Sequence, residues 1–205
     1  MDIKSEFYKL INQFESDESK IADLWNDVYQ AYTGRKRHYH DLSHLENLLM
    51  QLSVVHEDVE NWNALLFTLY YHDIVYDAKK KNNEELSADW AKKVMTQIGV
   101  DKKTVNLTFN QIIATKQHET SDNIDTNYFL DADLSILGST WSNYERYYQG
   151  VREEYKMYPK VMYNPGRKKV MRHFLEMDRI FKTDYFYQMF EQSARANIQQ
   201  EIDLL

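Results

Sequence analysis

Apolar residues recur at spacings of three and four along nearly the whole chain, the period of a helix with one buried face. Ile3, Phe7, Leu10, Ile11 and Phe14 predict a first helix, and Ile21, Leu24, Trp25, Val28 and Tyr32 a second. A basic, glycine-containing break, "TGRKRHYH", precedes a third helix with Leu45, Leu48, Leu49 and Leu52. Ser43 with Glu46 fits an S-x-x-E capping box and Asp41 competes as the cap; either puts His44 in the first turn. Trp62, Leu65, Leu66 and Leu69 lead a fourth helix into "YYHDIVYD". Asn82 with Glu85 can cap a fifth, carrying Leu86, Trp90, Val94 and Ile98, and Gly99 suits the position just past its end. Asp101 can cap a sixth, with Val105, Phe109, Ile112 and Ile113.

Beyond the loop "HETSDNIDTN", the stretch "YFLDADLSILG" reads as a short, largely buried helix. Trp141, Tyr144, Tyr147, Tyr148, Val151 and Tyr155 mark the next. Pro165 suits the first position of a further helix with Val170, Phe174 and Leu175, and Asp184 can cap a last one running towards Ile202. No strand alternation lasts more than a few residues, and there is no repeat or low-complexity tract. The expectation is an all-α, single-domain chain over 1–205, with a core at about 20–140 and a tyrosine-rich helical extension at about 141–205.

Composition agrees. Glycine (5) and proline (2) are scarce, which favours long helices and short connections. The formal charge is 25 − 32 = −7, without the basic footprint that nucleic-acid binding requires. Cysteine is absent, so disulfides and thiolate metal sites are excluded. The amphipathic start "MDIKSEFYKLINQFE" has no apolar signal region, and no apolar run of about 18 residues suggests a membrane span. A cytoplasmic location is the expectation, and a homo-oligomer stays open.

Two segments carry groups that an apolar helix does not ordinarily tolerate. In "YYHDIVYD", His72 and Asp73 are adjacent at the end of an apolar run. They can either reach one ion lodged between helices or end the helix in solvent, where histidine is favourable. In "FLDADLSILG", Asp131 and Asp133 interrupt another apolar run, where a carboxylate must be paired, protonated or bound to metal.

The ordered set His44, His72–Asp73 and Asp133 resembles the H…HD…D signature of the HD superfamily of metal-dependent phosphohydrolases. "YHDLSHLENLL" and "DADLS" are similar to segments of the cyclic-nucleotide phosphodiesterases in that superfamily. Together, "YHDLSHL", "HDIVYD", "NEELSA", "FLDADLSILG" and "GRKKVMRHFL" resemble a bacterial group of predicted HD phosphohydrolases over about residues 20–181.

The resemblance implies an HD-type helical bundle with additional C-terminal helices. It also implies His44, His72, Asp73 and Asp133 as ligands of a divalent ion. Asp131 competes with Asp133, which the "ADLS" match favours; Asp131 would then support the ligands from behind. Two imidazoles and two carboxylates suit Mn²⁺, Fe²⁺, Co²⁺ or Ni²⁺, with Mg²⁺ preferring more oxygen. The implied reaction is hydrolysis of a small phosphate ester, a nucleotide foremost, by metal-activated water. His40 would protonate the leaving oxygen, and Asp77, four residues after Asp73, would orient the water.

Glu84 and His118 are candidates for holding phosphate or a second ion. Arg37, Arg152 and Arg167 are candidate phosphate clamps, because a guanidinium offers phosphate a fork. Only His118 stands between the HD pair and Asp133 as an extra histidine, so one ion per chain is expected. An alternative is a regulatory module that binds metal or nucleotide without turnover. A di-iron oxygenase would need more histidines than the chain places there.

Overall fold

The computed structural model describes residues 2–205, and among them every regular element is helical. The ten α-helices are α1 (Ile3–Ile11), α2 (Glu18–Tyr32), α3 (Leu42–Val54), α4 (Trp62–Tyr71), α5 (Asn83–Gln97), α6 (Lys102–Ala114), α7 (Ile124–Leu134), α8 (Trp141–Glu154), α9 (Lys160–Glu176) and α10 (Asp184–Leu204). Short 3₁₀ turns occupy His56–Asp58 and Ser135–Gly138. No described helix is long and apolar enough to cross a membrane.

α4 is the hub. Ala64 through Tyr71 are all buried, as expected of a helix apolar on every side. It packs against α1, α3, α5, α6 and α7. The buried Thr68 hydroxyl lies within hydrogen-bond reach of Ala64 O and Gln111 Oε1, and the buried Tyr70 hydroxyl donates to Ile3 O. The helix ends at His72, so the fold's most buried element delivers the His72–Asp73 pair to a fixed place.

Most helix ends follow local chemistry. Asp101 accepts from the amides of Lys103 and Thr104, and Gly99 takes the left-handed conformation (φ 79°) that closes α5. At α3 the cap is Asp41, whose carboxylate accepts from the amide and hydroxyl of Ser43. The capping box is therefore not used: Ser43 lies inside the helix. Asn82 precedes α5 as expected, but its side chain makes no capping bond.

Two starts differ from expectation. α9 begins at Lys160 behind Pro159, which leaves Pro165 inside the helix rather than at its first position. Pro165 removes the bond to the carbonyl of Val161, and Val161 is 82% exposed, so water can serve that oxygen. α10 begins one residue after Thr183. Asp184 is not its cap; the amide and hydroxyl of Thr183 instead donate to Asp131.

The C-terminal helices are fastened to one another by buried polar groups. Arg167 of α9 makes a two-pronged ion pair with Glu201 of α10 (Nε–Oε1 2.7 Å, Nη2–Oε2 3.0 Å), and the Tyr144 hydroxyl of α8 donates to the same carboxylate. α10 also packs along the 135–138 turn.

Candidate metal centre

Three elements converge on one buried cluster. α3 supplies His44 from its third position, the end of α4 supplies His72, and the last turn of α7 supplies Asp133. One donor atom from each lies within 4.8 Å of the others. His44 Nε2 stands 3.2 Å from His72 Nε2 and 3.2 Å from Asp133 Oδ1, and His72 Nε2 is 3.9 Å from the same oxygen. Asp73 Oδ2 lies 3.3 Å from His72 Nε2, at the edge of this mutual set. His118 Nε2 meets the other oxygen of Asp133 at 3.0 Å. His118 does so from a left-handed backbone conformation (φ 54°), which is uncommon for a residue with a side chain.

The donor chemistry fits a cation. His72 Nδ1 is 3.0 Å from the carbonyl of Leu69, which can only accept, so Nδ1 carries the proton. The Nε2 lone pair of neutral His72 then faces carboxylates, a repulsive arrangement unless a proton or a metal ion lies between. Burial works against charge on His72, but Asp73 and Asp133 outweigh it and push its pKa up to about 9. The same carboxylates would attract a divalent ion in place of that proton. Burial also opposes the charge on Asp133, yet His118 and His44 hold its carboxyl well below the usual range. His44 titrates lower than an ordinary histidine because burial dominates there. Its Nδ1 is buried without a partner, unlike the fixed outer nitrogen of His72.

His40 sits beside this cluster, in the turn before α3 rather than on the helix itself. Its Nδ1 lies 2.7 Å from Glu154 Oε2, and its Nε2 is 3.9 Å from Asp73 Oδ2. Glu154, the last residue of α8, also accepts at Oε1 from the amides of His38, Tyr39 and His40 (2.9, 2.9 and 3.0 Å). Three successive amides on one oxygen make an anion nest. The Tyr76 hydroxyl donates to Oε2 at 2.8 Å, and its ring lies 4.4 Å from that of His40.

Burial opposes the Glu154 charge, but His40 and the amides prevail and lower its pKa to about 2. His40 is raised in return: burial disfavours its charge, and Glu154 and Asp73 more than compensate. One helical turn earlier, a Cβ on Gly150 would stand 2.8 Å from the carbonyl oxygen of His38. Glycine there lets the turn lie directly on α8.

Glu154 has no part in the sequence motifs. Its one visible signal is position: it continues the inward stripe of buried Tyr144, half-buried Tyr147 and buried Val151 with a carboxylate where the period calls for an apolar residue.

The remaining candidates divide. Arg37 is used as a brace: Nη1 donates to His40 O, and Nη2 donates to Asp73 O (2.7 Å) and Ile74 O, with Tyr32 and Tyr76 rings about the guanidinium. It ties the His40 turn to the Asp73 turn and offers no open fork. Arg152 donates to the carbonyls of Tyr155 and Tyr158, and Arg167 is taken up by Glu201. Asp131 points away from the ligands, accepting from the amides of Lys182 and Thr183 and from the Thr183 hydroxyl. Its role is to anchor the start of α10 rather than to back the metal ligands. Asp77 accepts from the Lys79 amide in a turn.

A cavity of about 620 Å³ opens above the cluster. His40, His72, Asp73, His118 and Asp133 line it, and Glu84, Lys80 and Lys81 stand on its loop side. His44 instead borders a smaller cavity of about 350 Å³.

No protein-family model matches the chain, and no curated protein or solved structure matches it either.

Proposed function

We propose that the protein is a metal-dependent phosphohydrolase of the HD superfamily acting on a small phosphate ester, a nucleotide first among the candidates. The observation that supports this best is the meeting of His44, His72 and Asp133, with Asp73 at their edge, where His72, Asp73 and Asp133 line a cavity that His40 also faces. His44, His72 and Asp133 would hold a divalent ion, and Asp73 is near enough to His72 to join them. When bound, such an ion supplies Lewis acidity towards a phosphoryl oxygen and towards water.

The chain's own groups account for the rest. His118 bonds the outer oxygen of Asp133 and so fixes which oxygen faces the imidazoles. Glu154 holds the Nδ1 proton of His40 and raises its pKa, so that its Nε2 carries a proton that can pass to a departing alkoxide. Tyr76 and Arg37 set the plane and place of that ring. The candidate arginines are committed elsewhere, so charge on the phosphate would be met by the ion and by His40. That same commitment favours a second reading, a module that binds metal and ligand without turnover.

One assay separates them. Mn²⁺-loaded protein is incubated with a panel of nucleotides and simple phosphate esters. Metal-dependent release of phosphate or alcohol from at least one member, reduced roughly 100-fold or more in His40→Ala and Asp73→Ala, is expected for general-acid catalysis in this site. Wild type no faster than Asp73→Ala on every member would end the hydrolase reading and leave the binding module.

A further inference from the structure

The cavity is far larger than a phosphate needs. Its volume of about 620 Å³ lies within the range of roughly 300–1,000 Å³ that takes organic ligands of drug size. Its chemistry is also lopsided. The candidate ion ligands gather at the floor, whereas α9 presents mainly apolar side chains, with Tyr163 and the Glu201-paired Arg167 among them. Met162, Gly166 and Val170 fall at successive four-residue steps, so they share one face of α9, and all three line the cavity. Met162 is 62% and Val170 48% exposed, so both leave apolar surface open on this side of the cavity. Tyr155 and Tyr158, at and beyond the end of α8, line the same cavity.

Two features decide what this wall can receive. First, among the described residues it has no free cation. Arg152 is bonded to the carbonyls of Tyr155 and Tyr158, and Arg167 is bonded to Glu201, so a second phosphate would find no partner there. Of the lysines of the cavity, Lys80 and Lys81 belong to the loop before α5, and Lys116, just past α6, is bonded to Glu85 and to the carbonyl of Lys81. Second, there is room. A Cβ placed on Gly166 would meet nothing within 4 Å, and its backbone is ordinary helix. The gap is therefore not demanded by a close backbone approach, and α9 forgoes helix stability by keeping glycine there.

We propose that the α9 wall is a specificity subsite for the organic part of the phosphate ester, that this part is an uncharged aromatic ring system, and that Gly166 provides the space it fills. The inference rests on the phosphate site proposed above. It adds which side of the cavity the leaving group takes and its chemical class. Tyrosine rings offer such a group both apolar area and offset or edge contacts.

Binding of non-hydrolysable phosphonates tests this without requiring turnover. Calorimetry on Mn²⁺-loaded full-length protein compares 1-naphthylphosphonate with methylphosphonate. The naphthyl compound is expected to bind at least about tenfold more tightly, as burial of a bicyclic ring should produce. In Gly166→Leu, whose side chain enters the gap, that ratio is expected to fall to about threefold or less, and in the milder Val170→Ser to fall part of the way. Circular dichroism and a melting curve establish that each variant is folded.

Equal affinity of the two phosphonates in wild type would overturn the subsite while leaving the phosphate site standing. So would a ratio that Gly166→Leu and Val170→Ser both leave unchanged. Tighter binding of pyrophosphate than of naphthylphosphonate would point to the lysine loop and overturn it too. Absence of metal-dependent binding by any phosphonate would remove the phosphate site and the subsite together.

Discussion

Replacing Glu154 by glutamine removes one buried negative charge and almost no volume. In the native protein the carboxylate serves five donors: three amides at Oε1, and His40 Nδ1 with the Tyr76 hydroxyl at Oε2. Glutamine can put its carbonyl where Oε1 was and keep the turn. Its NH₂ then faces His40 and must donate to Nδ1, which forces the imidazole into the neutral form with its proton on Nε2.

A fall in the Glu154 pKa from 4.5 to about 2 corresponds to roughly 3 kcal/mol of preference for the charged, folded state. Because the folded value is depressed, that contribution is full above pH 4.5 and is lost as the pH falls through about 2. His40 is raised above 6.5, so its share is full below pH 6.5 and is lost as the pH rises through the folded value. The two shares describe one pair and are not added. Glu154→Gln should therefore cost most between about pH 4.5 and 6.5, about 2–3 kcal/mol in urea unfolding, and less at pH 8. Nitrogen-15 NMR should show His40 neutral at a pH where the wild type is still protonated. If the variant unfolds within about 0.5 kcal/mol of wild type at pH 5.5 and His40 titrates unchanged, the nest is not what holds this histidine.

Divalent metal should raise the unfolding free energy by about 2.7 kcal/mol at an ion concentration 100 times its dissociation constant, and a chelator should reverse it. His44→Ala and Asp133→Ala should abolish that gain in thermal melts; an equal gain in both variants would place the ion elsewhere. Because His72 holds a proton up to about pH 9 before an ion displaces it, Mn²⁺ binding at pH 7 should release protons, seen as a buffer-dependent heat in calorimetry. Asp131→Asn should destabilise the fold by about 1–3 kcal/mol by weakening the anchor of α10, yet leave metal affinity within about threefold, and Asp133→Asn should lose metal affinity. Gly150→Ala should lower the melting temperature, since the clash with His38 O, about 1–3 kcal/mol, exceeds the helix-propensity gain of about 1 kcal/mol. A melting temperature unchanged or raised would show that the 38–40 turn can move aside.

Local chemistry was legible where partners are close in sequence. The period of three and four located the helices; Gly99 and Asp101 act within a few residues of themselves and behave as their types predict. Asp41 prevailed over the Ser43–Glu46 box because its carboxylate takes both the amide and the hydroxyl of Ser43. Pro165 misled because one missing helical bond is tolerable on a solvent-facing turn. His72 and Asp133 stand out because each is a polar group in an apolar run, and His44 through its place in the H…HD…D order.

Long-range destinations were not legible. Arg37 looks like any surface arginine until the carbonyls of Asp73 and Ile74 come within its reach. Asp131 and Asp133 are two residues apart and serve unrelated partners, a difference set by which way each side of α7 faces. Glu154 meets its amides across more than a hundred residues, and no local pattern records that.

That separation has a consequence for how the centre is held together. His44, His72 and Asp133 all precede α8 in the chain, whereas Glu154 is the last residue of α8. The meeting of those three groups does not involve Glu154, whereas the turn carrying His40 bonds to it through three amides and the imidazole. Where α8 lays Gly150 against that turn, Glu154 takes hold of the imidazole. The candidate donors and the group that would deliver a proton are thus held by different parts of the chain: on the reading proposed above, loosening α8 should free His40 while leaving His44, His72 and Asp133 together.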